Sequence, residues 1–360
     1  MRLAKPLAPG STIGILGGGQ LGRMLALAAG ELGFNCHIFA PEADSPAFQV
    51  SAARTVAGYH DFAALEDFAK GVDVATYEFE NVPGDTAAFL ESRVALAPGS
   101  AALRTAQDRV GEKTFIAGLG IPVAPFAAVN GQAELEAAIS RIGRPSVLKT
   151  RRFGYDGKGQ TKITEKTSAA AAWAEIGKAP AILEGFISFD KEISVIAARG
   201  WDGAIAVYDV PENRHENHIL KTSTVPAEIA GETADAARAM ARALIGALDY
   251  VGVMGIEMFV SGANLIVNEI APRVHNSGHW TQDACVVSQF EQHIRAICGW
   301  PLGSTERHSN VIMHNILGGE SGNWAEYGAS SHTGVHFYGK AEARRGRKMG
   351  HINVLTPRQG

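Results

Sequence analysis

Residues 149–160 read K-T-R-R-F-G-Y-D-G-K-G-Q and follow a short apolar strand predicted over residues 146–148. This stretch contains four cations and three glycines within twelve residues. Glycines let a backbone pass close to a ligand with its N–H groups pointing inward, and neighbouring cations suit a polyphosphate. The pattern G-x-x-x-x-G-K-[ST] is absent, so the stretch is not a P-loop. Taken alone it is equally typical of a solvated hairpin turn, and its role depends on the rest of the chain.

Length, composition and charge narrow the class of protein. A chain of 360 residues has room for two or three domains, and 46% apolar with 19% charged residues is typical of a globular protein. The net charge of −4 gives no general attraction for nucleic acid, so any anion must be bound by local cations. Three cysteines without a C-x-x-C pair predict a reducing, cytoplasmic compartment. No apolar run predicts a membrane partner or span, and no signal peptide is expected.

The first forty residues predict the start of a doubly wound α/β domain. A strand over 11–16 is followed by the loop G-G-G-Q-L-G, a helix over 20–32 and a second strand over 35–40. A dinucleotide site would need an acid at the end of the second strand, where the chain has Ala40 and Pro41. The glycine loop is therefore interpreted as a phosphate cradle at a helix N-terminus, with a tight turn that binds nothing as the alternative.

Two acids follow the next predicted strand, over residues 72–77. Glu78 and Glu80 lie at its carboxyl end, where ligands gather in open α/β sheets. They are candidates to bind sugar hydroxyls, or else solvated loop acids. A strand over 94–96 closes the domain, and Pro98-Gly99 marks its boundary.

The middle of the chain predicts further helices and strands. Helices are expected over 101–120, 132–142, 168–176 and 232–248, and strands over 181–183, 192–198 and 204–210.

A hairpin near residue 262 predicts a metal site. Residues 253–260 read V-M-G-I-E-M-F-V and residues 265–270 read L-I-V-N-E-I. A three-residue loop pairs Ser261 with Leu265 and places Glu257 opposite Glu269. Two facing carboxylates repel by up to about 1 kcal/mol, unless a cation lies between them. Mg²⁺ favours one or two carboxylates with phosphate oxygens, whereas one acid lying beyond the sheet edge is the alternative.

Polar segments follow the hairpin. The loop A-P-R-V-H-N-S-G-H-W over residues 271–280 leaves the metal strand with Arg273, His275 and His279, and no pattern of Cys or His supports zinc. A helix is expected over 282–298, and two or three strands end the chain. The basic cluster K-A-E-A-R-R-G-R-K-M-G over residues 340–350 is, by itself, typical of a solvated surface.

In this order the motifs resemble the ATP-grasp superfamily over nearly the whole chain. Within it, the sequence resembles the 5-(carboxyamino)imidazole ribonucleotide synthetases. The motifs that carry the resemblance are G-G-G-Q-L-G-R-M, Y-E-F-E-N-V, R-R-F-G-Y-D-G-K-G-Q, N-E-I-A-P-R-V-H-N-S-G-H-W-T and R-K-M-G-H. The resemblance implies an α/β (α+β) ATP-grasp fold. Its parts are a doubly wound pre-ATP-grasp domain over 1–99, a lid subdomain over 100–184, a metal and nucleotide subdomain over 185–302, and a C-terminal subdomain over 303–360.

The resemblance also implies residue roles. ATP would be bound by Arg109, Lys149, Gly154, Tyr155, Asp156, Gly157, Lys158, Gly159, Gln160, Glu184, Gly185, Phe186, Ile187, Glu192, His215, Asn268 and Glu269. Mg²⁺ would be bound by Glu257 and Glu269. The ribonucleotide would be bound by Gln20, Leu21, Glu78, Lys340, Arg347 and Lys348. Catalysis would use Tyr155, Asp156, Arg273, His275 and Asn276.

The implied activity is ATP- and bicarbonate-dependent carboxylation of aminoimidazole ribonucleotide in de novo purine synthesis. Bicarbonate would attack the γ-phosphate of ATP to give carboxyphosphate and ADP, and the exocyclic amine would capture the carboxyl group with release of phosphate. Asp156 is a hypothetical acceptor for the amine proton. The resemblance further implies a homodimer. The alternative is formate-dependent glycinamide ribonucleotide transformylase, against which Tyr155 and Asp156 favour an aminoimidazole substrate.

Overall fold

The computed structural model describes residues 1–154 and 158–358. Three β-sheets organise this part of the chain, and helices cover them. No helix among the described residues is both long and apolar enough to cross a bilayer.

The N-terminal sheet is parallel and has the strand order β3-β2-β1-β4. Its strands are β1 (Thr12–Leu16), β2 (Asn35–Ala40), β3 (Ala53–Val56) and β4 (Val74–Tyr77), and its helices are α1 (Gln20–Glu31), α2 (Phe62–Lys70) and α3 (Gly84–Glu91). The predicted doubly wound domain is confirmed. The chain order reverses between β1 and β4, so their carboxyl ends form the crevice where such sheets bind ligands.

A small antiparallel sheet follows, with the order β5-β8-β6-β7. Its strands are β5 (Phe126–Val129), β6 (Ser146–Thr150), β7 (Gln160–Ile163) and β8 (Ala181–Gly185). Helices α6 (Gln132–Ile142) and α7 (Ala169–Glu175) pack on it around Leu135, Leu148 and Trp173. The cation-rich segment connects β6 to β7. Tyr155, Asp156 and Gly157, within that connection, lie outside the described residues.

A third, larger sheet joins the hairpin that carries Glu257 and Glu269 to the end of the chain. Its order is β14-β13-β9-β11-β12-β15-β17-β16, with β10 paired to β9. The strands are β9 (Lys191–Arg199), β10 (Ile205–Val207), β11 (Glu212–Glu216), β12 (Ile219–Val225), β13 (Gly252–Ser261), β14 (Asn264–Ala271), β15 (Ser309–Leu317), β16 (Thr333–Phe337) and β17 (Lys348–Pro357). Because β12 pairs with β15, the C-terminal segment extends the sheet that contains β13 and β14.

Two predicted helices are each broken in the structure. The helix expected over 101–120 is α4 (Ser100–Gln107) and α5 (Arg109–Gly118), because Asp108 is extended and caps α5 by accepting hydrogen bonds from the Val110 and Gly111 N–H groups. The helix expected over 282–298 is α9 (Thr281–Ala284) and α10 (Gln289–Ile297). Ser288 caps α10 in the same way, through the Glu291 N–H.

The remaining helices are α8 (Gly231–Ala247) and α11 (Trp324–Ala329), with short 3-10 turns at Pro46–Val50, Asn276–Gly278 and Gly318–Asn323. Helix α8 buries Ala241, Leu244 and Ile245 in the core beneath β9 and β13. This packing supports β9 and β13 from below.

Candidate active site

One cavity of about 540 Å³ lies where the N-terminal domain, the β6–β7 connection and the β13–β14 hairpin meet. Many of the sequence-predicted site residues line it: Gln20, Leu21, Glu78, Arg109, Lys149, Gly154, Lys158, Gln160, Glu192, His215, Glu257, Asn268, Glu269, Arg273, His275, Asn276 and Lys348. The other predicted residues with a described position are not among its lining: Gly159, Glu184, Gly185, Phe186, Ile187, Lys340 and Arg347. Residues expected to act on separate substrates therefore share one chamber.

Glu257 and Glu269 face each other across β13 and β14, as predicted. The predicted three-residue loop is wrong, however, because Ser261 pairs with Asn264 and the hairpin turns in two residues. A β-bulge restores the register: Met258 pairs with Val267, and Glu257 then pairs with Glu269. The bulge leaves Asn268 as the extra residue, beside the two acids.

Helix α5 holds the bulged strand through buried charged groups. The Lys113 ammonium donates to the carbonyls of Val267 at 3.3 Å and Asn268 at 2.5 Å. The Glu112 carboxylate accepts from the Ile270 N–H at 2.6 Å. Glu112 and Lys113 are almost fully buried, whereas an adjacent Glu-Lys pair on a helix is ordinarily solvated. Sequence reasoning missed this support because no pattern along the chain predicts the bulge.

The two facing acids have different electrostatic environments. Glu257 is largely buried, and desolvation together with the charge of Glu269 raises its pKa. For Glu269, burial alone would raise the pKa, but the Arg109 guanidinium at 2.9 Å lowers it. His275 Nε2 lies 3.3 Å from Glu257. A cation bound beside Glu257 would offset both the burial of its charge and its repulsion by Glu269.

The donor set at the acids fits a magnesium ion. Two carboxylates and the neighbouring Asn268 supply oxygen ligands of the kind that Mg²⁺ prefers, with the remainder expected from phosphate and water. Among residues 1–154 and 158–358 there is no group of three or more His, Cys, Asp or Glu side chains suited to a metal. The pair is thus too small for a metal site made by protein alone and is suited to an ion that arrives with a polyphosphate.

The cations near the small sheet are held in place by acids. Lys149, at the cavity wall, donates to Glu184 at 3.1 Å, and Lys113 approaches the same carboxylate at 3.8 Å. Although burial alone would raise the pKa of Glu184, the charges of Lys149 and Lys113 lower it. Glu184 therefore anchors Lys149 from behind the cavity wall.

The start of the β6–β7 connection is tied to helices α4 and α5. Arg151 forms a bidentate ion pair with Asp108, and Arg152 donates to Gln107 Oε1 at 2.8 Å. Arg109 donates to the Gly154 carbonyl at 3.3 Å as well as to Glu269. Arg109 thus joins the glycine-rich connection to Glu269.

The glycine loop after β1 is not a phosphate cradle, and that prediction is wrong. The Glu78 carboxylate occupies the N-terminus of α1, accepting from the N–H groups of Gly19 at 2.5 Å and Gly22 at 2.7 Å. A Cβ at Gly17 or Gly19 would come within 2.3 or 2.6 Å of Glu78, so these glycines make room for the acid. A phosphate there would meet a carboxylate instead of free donors. Burial raises the pKa of Glu78 despite the two N–H groups.

Glu80 links the N-terminal domain to the loop after β14. Arg273 donates to Glu80 at 2.5 Å. Burial alone would raise the pKa of Glu80, but Arg273 lowers it. Next to it, Gln107 Nε2 donates to the carbonyls of Glu80 and Val82. The pairing of Glu80 with Arg273 could not be predicted, because the two residues are distant in sequence.

Glu192 and His215 form a hydrogen-bonded ion pair between β9 and β11. Burial alone would lower the pKa of His215, but the hydrogen bond and charge of Glu192 raise it. In the C-terminal segment, Lys340 donates to the Lys348 carbonyl at 2.7 Å and lies 5.6 Å from the Tyr338 ring centre. Arg347 donates to the Glu342 carbonyl at 2.9 Å.

His275 is buried in the loop that follows β14. Burial, and then the positive charge of Arg273, lower its pKa to about 3. A Cβ at Gly255 would lie 2.6 Å from His275, so the glycine allows the ring to pack against β13. Asn276 exchanges amide hydrogen bonds with Asn315 on β15.

Family models match three consecutive parts of the chain. They are a ribonucleotide synthetase preATP-grasp domain over residues 11–107, an ATP-grasp domain over 114–290, and a phosphoribosylaminoimidazole carboxylase C-terminal domain over 311–360.

Full-length relatives are similar along the whole chain. An N5-carboxyaminoimidazole ribonucleotide synthase of Brucella melitensis is 51% identical over 98% of each chain. The Pseudomonas aeruginosa protein of the same name is 44% identical, covering 95% of this chain and 94% of its own.

Solved structures are similar as well. An N5-carboxyaminoimidazole ribonucleotide synthetase in complex with ADP superposes with a TM-score of 0.95 at 44% identity, covering 98% of this chain and 94% of its own. An Aspergillus clavatus N5-carboxyaminoimidazole synthase bound to ADP and 5-aminoimidazole ribonucleotide superposes with a TM-score of 0.89 at 32% identity, covering 97% and 94%.

Proposed function

The chain belongs to the N5-carboxyaminoimidazole ribonucleotide synthase family of ATP-grasp enzymes, and from this premise we propose how its cavity works. It is an ATP-dependent carbon–nitrogen ligase that carboxylates 5-aminoimidazole ribonucleotide in purine biosynthesis. The observation that carries the proposal is the shared chamber. Facing carboxylates on β13 and β14, the cation Lys149 and the N-terminal crevice at Gln20 and Glu78 all open into it.

The nucleotide would lie between the small sheet and the metal hairpin. Lys149 and the loop from Gly154 to Gln160 would bind its phosphates, with Arg109 beside them. Segment 184–187 would contact adenine, and Glu192 would bind the ribose hydroxyls with His215 alongside. Support comes from Arg109, Lys149 and Glu192, which all line the cavity. Charge-assisted hydrogen bonds of this kind are strong where water is excluded.

Mg²⁺ would be held by Glu257 and Glu269, with Asn268 as a further oxygen donor. When bound, the ion would neutralise charge on the polyphosphate. The chain's own contribution is electrostatic: the Arg109 guanidinium lies 2.9 Å from Glu269 and lowers its pKa, and His275 Nε2 lies 3.3 Å from Glu257. Two carboxylates of adjacent strands are thereby kept at fixed separation for an incoming nucleotide.

Bicarbonate would be the one-carbon donor. Its oxygen attacks the γ-phosphorus of ATP, the bond to the leaving ADP oxygen breaks, and carboxyphosphate forms. The exocyclic amine then attacks the carboxyl carbon, the carbon–oxygen bond to phosphate breaks, and phosphate leaves. Arg273 and Asn276 would hold the small anions, supported by their place beside the acid strands. Tyr155 and Asp156 would face the aminoimidazole, with Asp156 as proton acceptor.

The ribonucleotide would lie in the N-terminal crevice. Gln20, Leu21 and Glu78 would contact it, and Lys340, Arg347 and Lys348 would bind its 5′-phosphate. Lys348 lines the cavity, and Lys340 is close enough to Glu78 to affect its pKa. This arrangement would place the amine between the crevice and the nucleotide.

We further propose the four predicted subdomain ranges, 1–99, 100–184, 185–302 and 303–360, a homodimer, and a cytoplasmic location. The cytoplasmic location is supported by Cys36, Cys285 and Cys298, which are buried free thiols, as suits a reducing compartment.

The transformylase alternative uses the same fold with formate and glycinamide ribonucleotide. It is not favoured, because relatives at 51% and 44% identity are named as N5-carboxyaminoimidazole ribonucleotide synthases. A coupled ADP assay in bicarbonate-depleted buffer tests the choice. ADP release should require both bicarbonate and aminoimidazole ribonucleotide for full rate. Turnover with formate and glycinamide ribonucleotide, and none with the expected pair, would overturn the assignment.

A further inference from the structure

We propose that buried side chains beneath the loop after β14 fix the tautomer of His275, so that Nε2–H faces the cavity as a permanent hydrogen-bond donor. Ser277, Ser194 and Asn213 act as positioning residues in this arrangement. The inference rests on the proposed function only in assigning His275 to the reaction chamber. The tautomer itself follows from hydrogen-bond directions within the protein.

The first observation is a backbone donor at the inner ring nitrogen. His275 caps the short turn Asn276–Gly278, and its Nδ1 accepts from the Ser277 N–H at 3.4 Å. Because a backbone N–H can only donate, this long contact favours a lone pair on Nδ1. The Ser277 hydroxyl lies 2.8 Å from the same nitrogen and can supply a second, shorter hydrogen bond. Nδ1 is therefore placed to accept, and not to donate.

The second observation is a chain of buried groups that orients the Ser277 hydroxyl. Ser223 donates to Asn213 Oδ1 at 2.7 Å, and Asn213 Nδ2 donates to Ser194 Oγ at 2.9 Å. Ser194 already accepts from that amide, and its hydroxyl lies 2.6 Å from Ser277 Oγ. If every hydroxyl proton is to find an acceptor, Ser194 donates to Ser277, and Ser277 donates to His275 Nδ1.

The chain is built into the large sheet. Ser194, Asn213 and Ser223 lie on β9, β11 and β12, three consecutive strands in the sheet order. Ser194, Ser223 and Ser277 have no exposed surface, and Asn213 is 5% exposed. The three serine side chains are therefore out of contact with bulk water. The rigid sheet transmits a fixed hydrogen-bond direction to the loop.

The consequence concerns the cavity side of the ring. A neutral histidine that accepts at Nδ1 carries its proton on Nε2, which lies 3.3 Å from Glu257 Oε1. His275 then donates to this carboxylate, or to a substrate oxygen beside it, and cannot take a proton at Nε2. The proton lost by the substrate amine must reach a different acceptor. His275 would act as a hydrogen-bond donor in the reaction, and not as its general base.

The test reads the tautomer directly by long-range proton–nitrogen correlation spectra of protein containing isotope-labelled histidine, without ligands, at neutral pH. Loss of one signal set in His275→Gln assigns the resonances. The wild-type spectrum should show a protonated Nε2 and an unprotonated Nδ1. A proton on Nδ1, or on both nitrogens, would overturn the proposal.

Substitutions at two positions probe the relay. Asn213→Asp exchanges the amide donor for an acceptor, so Ser194 should donate toward position 213 and the tautomer should shift toward Nδ1–H. Ser277→Ala should weaken the preference for the Nε2–H tautomer and lower kcat about tenfold, with smaller changes in KM. Ser277→Thr keeps a hydroxyl and should restore both the tautomer preference and kcat. The matched control is Ser146→Ala, which removes a fully buried serine hydroxyl from the small sheet. An unchanged His275 spectrum in both Asn213→Asp and Ser277→Ala would also overturn the proposal.

The tautomer inference and the proposed function can be refuted independently of each other. A protein with the Nε2–H tautomer that does not carboxylate the ribonucleotide would refute the proposed function and leave the tautomer inference intact. An active enzyme whose His275 carries its proton on Nδ1 would do the reverse.

Discussion

Glu257 and Glu269 should respond in opposite directions to the same isosteric change in metal-free protein. Glutamine keeps the shape of each side chain and removes its charge. Facing carboxylates repel by up to about 1 kcal/mol, and either substitution removes that repulsion. Glu257→Gln keeps an acceptor for His275 and should raise the free energy of unfolding by up to about 1 kcal/mol.

Glu269→Gln has a larger opposing cost. It removes the charge that Arg109 contacts at 2.9 Å, and a hydrogen bond between charged groups is worth about 1.5–3 kcal/mol. After relief of the repulsion, the net expectation is a loss of about 0.5–2 kcal/mol. The difference in sign arises because Arg109 accompanies Glu269 and not Glu257.

Activity should behave differently from stability. Both variants lose a ligand charge for Mg²⁺, so both should use Mg·ATP poorly at limiting magnesium. Denaturant unfolding with a chelator at pH 8 gives the stability, and a coupled ADP assay across magnesium concentrations gives the activity. Glu228→Gln is the control, because that side chain is 97% exposed. Wild-type turnover at limiting Mg²⁺ in either variant, or a greater stability loss in Glu257→Gln than in Glu269→Gln, would refute the reasoning.

Two further predictions concern the phosphate cluster and a buried histidine. Lys348→Ala should raise KM for the ribonucleotide about tenfold to a hundredfold and leave KM for ATP nearly unchanged. Arg347→Ala should have a smaller effect, and the exposed Arg345→Ala should have none. An equal rise of KM for ATP would place the cluster at the nucleotide. His293 forms hydrogen bonds with the Thr76 hydroxyl and the Val253 N–H, and burial lowers its pKa from 6.5 to about 3. The contribution of neutral His293 to the free energy of unfolding is therefore complete above pH 6.5 and is lost as the pH falls. Between pH 6 and 4, wild type should therefore lose about 1.4 kcal/mol per pH unit more than His293→Gln in urea titrations, and identical slopes, with exposed His60→Gln as control, would contradict this.

Local patterns along the chain predicted much of the architecture. The strand–glycine loop–helix–strand unit at the start and helix α6 were found by periodicity and turn residues. Glu257 was placed opposite Glu269 correctly, although the predicted loop was one residue too long. The bulge at Asn268 compensated for that error, and bulges leave no signal in a single sequence.

Contacts between distant segments were beyond the sequence. The N-terminus of α1 has the donors of a phosphate cradle, yet Glu78, which directly follows β4, accepts from the Gly19 and Gly22 N–H groups, and only the parallel pairing of β1 with β4 brings the two segments together. Buried Lys113 and the pairing of Arg273 with Glu80 depend in the same way on tertiary packing. The contacts of the charged residues that support the site therefore could not be predicted from the sequence.

The fate of a bicarbonate oxygen tests the central claim most directly. If bicarbonate attacks the γ-phosphorus, the bridging oxygen of carboxyphosphate comes from bicarbonate and leaves with phosphate when the carbon–oxygen bond breaks. With freshly dissolved bicarbonate labelled with heavy oxygen, mass spectrometry should find one labelled oxygen in each phosphate released, in step with ADP and dependent on aminoimidazole ribonucleotide. Carboxylated product accompanied by unlabelled phosphate would contradict the account.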